Sequence, residues 1–354
     1  MVGKKLAKIG GKIYLALIFI FLYAPIATLI VLSFNESKFR GKWGGFSLKW
    51  YESLFASREI MEALWTTLLL AFLSALIATI LGTMVSFAMN RMKKLPRMIL
   101  MTVTNIPMLN ADIVTGISLM LLFIALRYQM GFGSVLIAHI TFNLPFVILS
   151  VAPRLGSMNT SAFEAAQDLG ASKAYAFWKV IFPDIMPNIL TGFLLSFTMS
   201  VDDFVITHFT KGVGIDTLST MIYTEQKKGI RPEIYSLSTL MFVTIFVLLI
   251  LYTLHKSHAE KIKSRASSRM ETASRWISLS LVPVVFLVVL FGYYSTKTTS
   301  TGSLKVYNWG EYMDPQVLEL FEKETGISVT YDEYETNESM YPIIAKGAAD
   351  YDLI

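Results

Sequence analysis

Three acidic residues lie within long apolar stretches of the sequence, and this position suggests a chemical role. Asp112 follows Asn110 in a stretch that Pro107 interrupts, and Asp202 and Asp203 are consecutive in a second stretch. An ionisable side chain deep in a bilayer is costly and by default marks a pathway. At about 1.5 Å per residue, Asp112 and Asp202 lie roughly 21–23 Å from the cytoplasmic ends of their predicted helices. Three carboxylates without a nearby basic residue suit a cationic substrate. The alternative is that the span boundaries are a few residues off and the acids lie in the external interface.

The sequence lacks the residues or motifs for thiol chemistry, for histidine metal sites and for ATP binding. Cysteine is absent, which excludes disulfides, thiolate metal sites, catalytic thiols and cysteine-linked lipids. The four histidines, His139, His208, His255 and His258, lack metal-ligand spacing, and the last two lie in a basic run typical of solvated side chains. His139 and Asn143 form a polar spot that is more typical of helix–helix contact than of a site. No G-x-x-x-x-G-K-[ST] phosphate loop is present, so ATP chemistry must come from another chain.

The composition is that of a membrane protein with a polar appendage. Of 354 residues, 54% are hydrophobic and 16% are charged, and the mean hydropathy is +0.53. A soluble globular chain carries about a quarter of charged residues. The sequence therefore predicts an all-α membrane protein.

Seven apolar stretches are long enough to cross a bilayer. They are residues 13–34, 63–89, 98–126, 133–153, 187–207, 235–255 and 276–294. Four lysines precede the first stretch, but its length and the lack of a cleavage signal favour a span over a signal peptide. The first six spans form a domain of residues 1–255. Residues 256–275 are predicted to be a basic cytoplasmic linker before the seventh span.

The basic residues predict the orientation. Loops on the predicted cytoplasmic side contain 17 Lys and Arg, the opposite loops contain 10, and the last 60 residues contain 4. This excess places the N-terminus in the cytoplasm and the C-terminus outside. The first external loop, with five basic residues, weakens the contrast. Membrane topology accounts for the net charge of +5, so it does not call for a nucleic-acid partner.

A polar island at residues 161–183 lies between two of the spans. Ser161 and Glu164 have capping-box spacing, which predicts a helix start. Gly170 fits the C′ position of that helix, and Ser172 can cap a second short helix that we expect Pro183 to end. The local sequence thus predicts a cytoplasmic two-helix hairpin.

The C-terminal residues have the composition of a soluble α/β domain. Residues 295–303 read as a flexible linker. Strands are predicted at residues 304–307 and 328–331, with a helix from Asp314–Pro315 to Glu324 and a helix C-cap at Gly326. A third strand is predicted at residues 351–354. Because about fifty residues cannot bury a parallel sheet, we expect residues 304–354 to be an incomplete lobe from a fragment or a prematurely ended reading frame.

The polar island also resembles a family signature. Glu164-Ala165-Ala166, Gly170 and Val180-Ile181-Phe182-Pro183 have the spacing of the "EAA" loop of ABC importer permeases; Val180 and Phe182 are conservative departures. The resemblance implies a six-helix, MetI-like permease fold. It also implies that Glu164, Ala165, Ala166, Gly170 and Pro183 couple the permease to a separate ATPase.

Residues 13–255 resemble, more narrowly, the PotC-type permeases of bacterial spermidine/putrescine importers. The matching stretches are Tyr23-Ala24-Pro25-Ile26, Ser33-Phe34-Asn35, residues 42–46, 112–119, 139–146 and 164–170, and the Asp-Asp segment 195–204. Residues 304–354 resemble the start of the PotD-type polyamine-binding protein, through Asn308-Trp309-Gly310-Glu311-Tyr312 and residues 334–341. This second resemblance implies that Trp309 and Tyr312 pack on the methylene chain and that Glu311 takes an ammonium group. Gly310 departs from the more usual Thr.

Together, the resemblances imply a non-enzymatic, multi-pass permease of the bacterial inner membrane, surrounded by membrane lipid and fused to part of a receptor. Its expected partners are a PotB-type permease, two PotA-type ATPases that bind ATP-Mg, and a polyamine-binding protein. This chain itself would hold no cofactor. Alternatives are an importer for another small substrate, such as an aminophosphonate or ferric ion, and a membrane-anchored polyamine sensor.

Overall fold

The computed structural model describes residues 2–38, 41–158, 161–228, 230–263, 302–310, 312–313, 315–334, 337–345 and 351–354. In chain order, the elements are α1 (Val2–Ser33), α2 (Lys49–Ala56), α3 (Arg58–Arg91), α4 (Lys94–Leu109), α5 (Asp112–Ala125), α6 (Phe132–Ser157), α7 (Ser161–Asp168), α8 (Lys173–Ala176), a π-helical segment (Phe177–Ile181), α9 (Phe182–Asp202), α10 (Val205–Thr210), α11 (Leu218–Lys228), α12 (Pro232–Lys263), β1 (Gly302–Trp309), α13 (Pro315–Thr325), β2 (Ile327–Tyr334) and α14 (Asn337–Ala345). The chain divides into two compact units, Met1–Met61 with Ile222–Lys297 and Glu62–Met221 with Thr298–Ile354.

Apolar helices of membrane-spanning length dominate the described part of the chain. Four of them can cross a bilayer by length and composition: residues 10–33, 58–91, 132–157 and 173–202. They correspond to the first, second, fourth and fifth predicted spans, but the fifth, residues 187–207, is interrupted because α9 ends at Asp202. The sixth predicted span lies in α12, which continues through Lys263 into the predicted linker. The seventh predicted span, residues 276–294, lies outside the described residues.

The third predicted span is a broken helix. α4 and α5 are bent by 104° at Asn110–Ala111, and only the pair together is long enough to be a candidate span. At 1.5 Å per residue, the 14 residues of α5 reach about 21 Å, which is less than the roughly 30 Å of a bilayer core. Pro107 lies inside α4, three residues before the break. The predicted interruption is therefore confirmed, although α4 continues past the proline to Leu109.

In the first unit, α1, α2 and α12 pack together around polar anchors. The Trp50 indole N–H donates to the Asn35 carbonyl at 2.6 Å, and the Ser33 and Tyr51 hydroxyls are 2.9 Å apart. The Ser53 hydroxyl donates to Glu233 of α12 at 2.8 Å. The first two contacts satisfy polar groups where the chain leaves α1, and the third links α2 to α12.

In the second unit, α3, α6 and α9 pack closely. Ala78, Val147, Val151, Leu155 and Ile185 form a buried cluster. A Cβ at Gly82 would lie 2.7 Å from Val147 Cγ1, and one at Gly192 would lie 3.1 Å from Val147 Cα. Small residues thus let these helix backbones approach, as is common in membrane bundles.

The C-terminal residues form the predicted β-α-β arrangement. β1 and β2 are parallel, with Leu304 paired to Val329 and Trp309 to Tyr334. Gly326 has a φ of +70°, which fits the predicted helix C-cap before β2. The predicted third strand is reduced to a single parallel bridge between Val306 and Leu353, so this prediction was wrong in extent.

Candidate functional site

The consecutive acids Asp202 and Asp203 lie at the break between α9 and α10. α9 ends at Asp202, and Asp203 has extended backbone angles, φ −67° and ψ 122°. The Asp203 carboxylate then accepts hydrogen bonds from the N–H groups of Ile206 and Thr207, at 3.2 and 2.8 Å. A short acidic side chain before a helix satisfies N–H groups that have no partner within the helix. The second acid therefore supports the break, while the Asp202 side chain is exposed.

A buried histidine contacts the same carboxylate. His139 of α6 is fully buried, and its Nε2 lies 2.9 Å from Thr207 Oγ1 and 3.3 Å from Asp203 Oδ2. Its Nδ1 lies 2.6 Å from the Ser200 hydroxyl of α9. The Thr207 hydroxyl also donates to Asp203 at 2.8 Å, and only 6% of the Asp203 side chain is exposed. His139, which the sequence suggested to be a helix–helix contact, thus lies beside the Asp203 carboxylate.

Buried hydroxyl and amide groups extend this network to α3. The Ser200 and Ser74 hydroxyls are 3.1 Å apart, and the Asn143 side-chain N–H donates to Ser74 at 3.3 Å. Ser196 of α9 donates to the Asn143 carbonyl at 3.4 Å. Four helices are therefore joined by polar contacts around one carboxylate. Nothing in the sequence marked Ser74 or Ser200, because serines in apolar helices commonly bond to their own backbone.

Asp112 begins α5 and has an exposed side chain. One turn later, Gly116 packs against α10: a Cβ there would lie 3.1 Å from Phe209 Cδ2 and 3.4 Å from the Val205 carbonyl. The N-terminal half of α5 therefore packs against α10, the helix that Asp203 caps. Each of these two packed helices follows a break that bears an acidic residue.

In the EAA segment, the first helix of the predicted hairpin and the turn that ends it form as expected. α7 begins at Ser161, and Glu164 and Ala165 are exposed. Gly170 has a φ of +87°; its N–H bonds to Gln167 O at 2.8 Å, and the Ala171 N–H bonds to Ala166 O at 3.0 Å. This pair of bonds is a Schellman motif, so the C′ prediction is confirmed.

The second half of the hairpin differs from the prediction. Ser172 caps α8 by accepting the Tyr175 N–H at 3.3 Å, as expected. Pro183 does not end the helix, however: α8, the π-helical segment and α9 run on continuously to Asp202. The π-helical segment ends with the Phe182 N–H bonded to Phe177 O, immediately before the proline. Pro183 has no N–H to donate within this continuous helix, and the wider π-helical turn directly before it accommodates the proline.

The hairpin presents apolar side chains and is tied to its stem. Leu169, Tyr175 and Trp178 are 89%, 59% and 60% exposed. At the stem, the Arg154 guanidinium pairs with Asp184, and the Asn188 amide donates to Ser150 O at 3.2 Å. The loop is therefore an exposed surface on a stem that is fixed at both sides.

The receptor-like residues are only partly described. Trp309 ends β1, is 40% exposed and packs edge-on against Tyr334 at 5.4 Å between ring centres. Tyr312 is 79% exposed, and Glu311 lies outside the described residues. The structure thus does not bring these three side chains into one described pocket.

An ionic cluster near the end of α10 was missed by the sequence reasoning. Lys211 Nζ lies 2.6 Å from Asp216 Oδ1, and the Gly214 N–H donates to Asp332 of β2 at 2.8 Å. Burial raises the pKa of Asp332 above its ordinary value despite the attraction of Lys211. Burial opposes the charge of Lys211, but Asp216 and Asp332 attract it, so the pKa of Lys211 is raised overall. No sequence motif joins residues 211–216 to residue 332, since folding alone brings them together.

The fold and this arrangement of polar breaks in apolar helices define a multi-pass membrane permease. Residues 78–266 match the family of binding-protein-dependent transport system inner membrane components, and the chain belongs to that family. Its members are transport components, so the chain is a transport subunit and not an enzyme.

Individual proteins of this family are similar over most of the permease part. The spermidine/putrescine transport system permease protein PotC of Escherichia coli K12 is 39% identical over 250 residues, which cover 71% of this chain and 93% of that protein. The putrescine permease PotI of the same organism is 35% identical, with 73% and 94% covered. A crystal structure of a bacterial ABC transporter that imports the acidic polysaccharide alginate shares the fold, with a TM-score of 0.54, 18% identity and 72% and 96% coverage.

Proposed function

We propose that this chain is a permease subunit of an ATP-driven importer of polyamines such as spermidine and putrescine. The observation that carries the proposal is the contact between two broken helices whose breaks bear the carboxylates of Asp112, Asp202 and Asp203. Asp112 and Asp202 present exposed carboxylates to a cationic substrate, and Asp203 adds negative charge from its buried position. The similarity to permeases named for spermidine and putrescine supports the same substrate class.

Transport proceeds by alternating access driven by a partner chain. The exposed hairpin with Glu164, Ala165, Ala166 and Gly170 is the docking surface for an ATPase, and Pro183 lies where the hairpin joins α9. We assign PotA-type ATPases, a PotB-type second permease and a polyamine-binding protein as partners. The hairpin and the N-terminus face the cytoplasm, and the C-terminus faces outward.

Residues 304–354 are proposed to be the start of a PotD-like binding lobe fused to the permease. The parallel β-α-β order of the described residues supports this assignment. Trp309, Glu311 and Tyr312 are its substrate-binding residues, with the aromatic rings suited to the methylene chain and the acid to an ammonium group.

Uptake by an Asp202→Asn variant tests the substrate route. In the complete importer in membrane vesicles, we expect spermidine uptake to fall about 10–100-fold, since a hydrogen bond to a charged group contributes about 1.5–3 kcal/mol. Glu52→Gln, which neutralises an exposed acid of α2, serves as the matched control and should leave uptake unchanged. Spermidine uptake within twofold of the parent would contradict the assignment.

Two further functions are separated by related measurements. An importer of ferric ion or of an aminophosphonate would take up that substrate while spermidine uptake stays at background in the parent protein. A membrane-anchored sensor would not co-purify with an ATPase. Co-purification that is lost when Glu164 and Gly170 are both replaced supports the importer.

A further inference from the structure

The carboxylate of Asp203 is fully engaged inside the protein. Oδ1 accepts the Ile206 N–H, and Oδ2 accepts both the N–H and the hydroxyl of Thr207. His139 Nε2 approaches the same Oδ2 at 3.3 Å. With 6% of its side chain exposed, Asp203 has little surface for direct contact with a substrate.

The hydrogen-bond directions follow from the acceptors. The Thr207 hydroxyl hydrogen is directed to Asp203, so both groups near His139 Nε2 act as acceptors. Nε2 must therefore carry a hydrogen. In the neutral ring, Nδ1 is then an acceptor, and the Ser200 hydroxyl donates to it at 2.6 Å. Ser200 also lies 3.1 Å from the Ser74 hydroxyl, which donates to Ala71 O at 3.2 Å and accepts from the Asn143 amide at 3.3 Å.

These contacts do more than join helices. The bonds between Ser74, Ser200 and Asn143 already link α3, α6 and α9. Only His139 connects this network to Asp203, among the contacts recorded for the described residues. Because Nδ1 contacts Ser200 of α9 and Nε2 contacts Thr207 of α10, a role confined to helix association would use both ring nitrogens and would be weakened by the loss of either contact.

We propose that His139 is a positioning residue for the cation route. Its Nε2–H donates to the Thr207 hydroxyl, which itself donates to Asp203, and Nε2 lies 3.3 Å from the same carboxylate. These contacts hold Asp203 in the break between α9 and α10, and this fixes the backbone that presents Asp202. The proposal rests on the assignment of Asp202 to the substrate route. It assigns to the histidine a function that acts through the acid, without contact with the substrate.

Two amide substitutions separate the two ring nitrogens. In His139→Gln, the amide N–H reaches about as far as Nε2 and can still donate to Thr207 and approach Asp203. In His139→Asn, the shorter amide can replace Nδ1 toward Ser200 but cannot reach Thr207 or Asp203. The variants are similar in polarity, so a purely structural role predicts similar behaviour. Thr141→Ala, which removes an exposed hydroxyl bonded to its own helix, is the control on the same helix.

The absence of cysteine from the chain provides a direct electrostatic measurement. A cysteine introduced by Asp202→Cys in the complete importer is modified with a cationic and with an anionic methanethiosulfonate reagent, and the ratio of the two rates is measured. After the subunits are separated, the extent of modification is measured on this chain alone. We expect the cationic reagent to react at least about fivefold faster, as attraction of about 1 kcal/mol implies. The ratio should persist with His139→Gln and Thr141→Ala and fall toward one with His139→Asn, in which Asp203 keeps its charge but loses the contacts that fix its position.

The outcomes distinguish the two proposals. Equal ratios for the Gln and Asn variants, at matched amounts of protein in the membrane, would overturn the positioning role of His139. Retained spermidine uptake in Asp202→Asn would instead overturn the substrate route itself. If His139→Asn fails to accumulate while His139→Gln is abundant, the ratio is measured in Asp203→Asn, which must abolish the preference for the cationic reagent if the buried charge is its source.

Discussion

Asp202 and Asp203 are adjacent residues of the same type, but they have different surroundings at the break between α9 and α10. Asp202 ends α9 with an exposed side chain, whereas Asp203 turns inward to cap α10 and to meet His139. The difference arises because the backbone leaves the helix at Asp203, so consecutive side chains point in different directions. A cluster of acids in a sequence thus divides into one that faces the proposed route and one that supports it.

Gly170 is the residue of the hairpin whose backbone most restricts substitution. Its φ of +87° lies in the region that favours glycine, and a Cβ there would meet no atom within 4 Å. Because the site is open, the cost of an alanine is conformational, roughly 1–2 kcal/mol. This cost falls on the turn that separates α7 from α8.

Gly170→Ala should therefore weaken the hairpin without disturbing the membrane helices. We expect the amount of ATPase that co-purifies to fall roughly fivefold, which corresponds to about 1 kcal/mol, while the protein still accumulates in the membrane. Gly156→Ala is the matched control, since Gly156 lies within α6 and its Cβ would be 3.5 Å from an Arg97 nitrogen. Equal co-purification of both variants with the ATPase would exclude a special role for the turn.

At the scale of elements, the helices that bear the acids are interrupted and the helices behind them are continuous. The α4–α5 pair bends by 104°, and α9 gives way to α10 after Asp202, whereas α3 and α6 are single helices of 34 and 26 residues. Irregular backbone at membrane depth is tolerated where it is buried in protein or lines a cavity. The continuous helices supply the polar side chains, such as Ser74 and His139, that stabilise one of the breaks.

The close contact of α3 and α6 permits a test of this support. A Cβ at Gly82 would lie 2.7 Å from Val147, so Gly82→Ala must push the helices apart. Overpacking of this kind typically costs about 1–3 kcal/mol, and we expect a lower melting temperature of the purified protein. Gly11→Ala is the control, because a Cβ at Gly11 in α1 would meet no atom within 4 Å. An unchanged melting temperature for Gly82→Ala would show that the contact is not tight.

At the scale of the whole molecule, the ionic cluster joins residues far apart in the chain. Asp332 of β2 accepts bonds from the Gly214 N–H at 2.8 Å and from the Tyr351 hydroxyl at 3.0 Å. The charges of Lys211 and Asp216 interact electrostatically with the Asp332 carboxyl group. Tyr307 interacts in the same way with Lys211, and His208 with Asp216. This cluster makes the packing of residues 302–354 depend on protonation.

The pH dependence follows from the raised pKa of Asp332. A carboxyl group whose pKa is higher in the folded state binds more protons there, so its contribution to stability is greatest at low pH and is lost as the pH rises through the folded value. The pKa of Asp216 is lowered, so the contribution of this group to stability increases as the pH rises, but only below its ordinary pKa value of 3.8. Above that pH, we expect hydrogen-exchange protection of residues 327–334 to decrease as the pH rises.

Asp332→Asn should flatten this profile and increase protection near neutral pH, because the amide removes the buried charge and can still accept from Gly214. Glu324→Gln changes an exposed acid of α13 and should keep the slope of the parent protein. A parent profile that is flat above pH 4, or one that rises, would contradict the assignment.

Much of the architecture follows from local sequence. The apolar runs predicted the helices, and the spacing of Ser161, Glu164 and Gly170 predicted α7 and its end, since capping and φ > 0 at glycine are local effects. Pro183 was misjudged because its effect depends on the preceding turn: a π-helical segment places it at the start of α9. The extent of the last strand was also wrong, because strand length depends on the partners available for pairing.

The sequence by itself determined the class of protein, through its hydrophobic runs, the missing phosphate loop and the spacing of the EAA segment. These features act over one or a few helical turns and can be recognised without tertiary contacts. Only the tertiary structure decided that Asp203 is buried against His139 while Asp202 is exposed, and that Asp332 meets residues 211–216. Such contacts join groups separated by 64 residues or more in the chain. They depend on which helix faces pack together, and no local pattern encodes that choice.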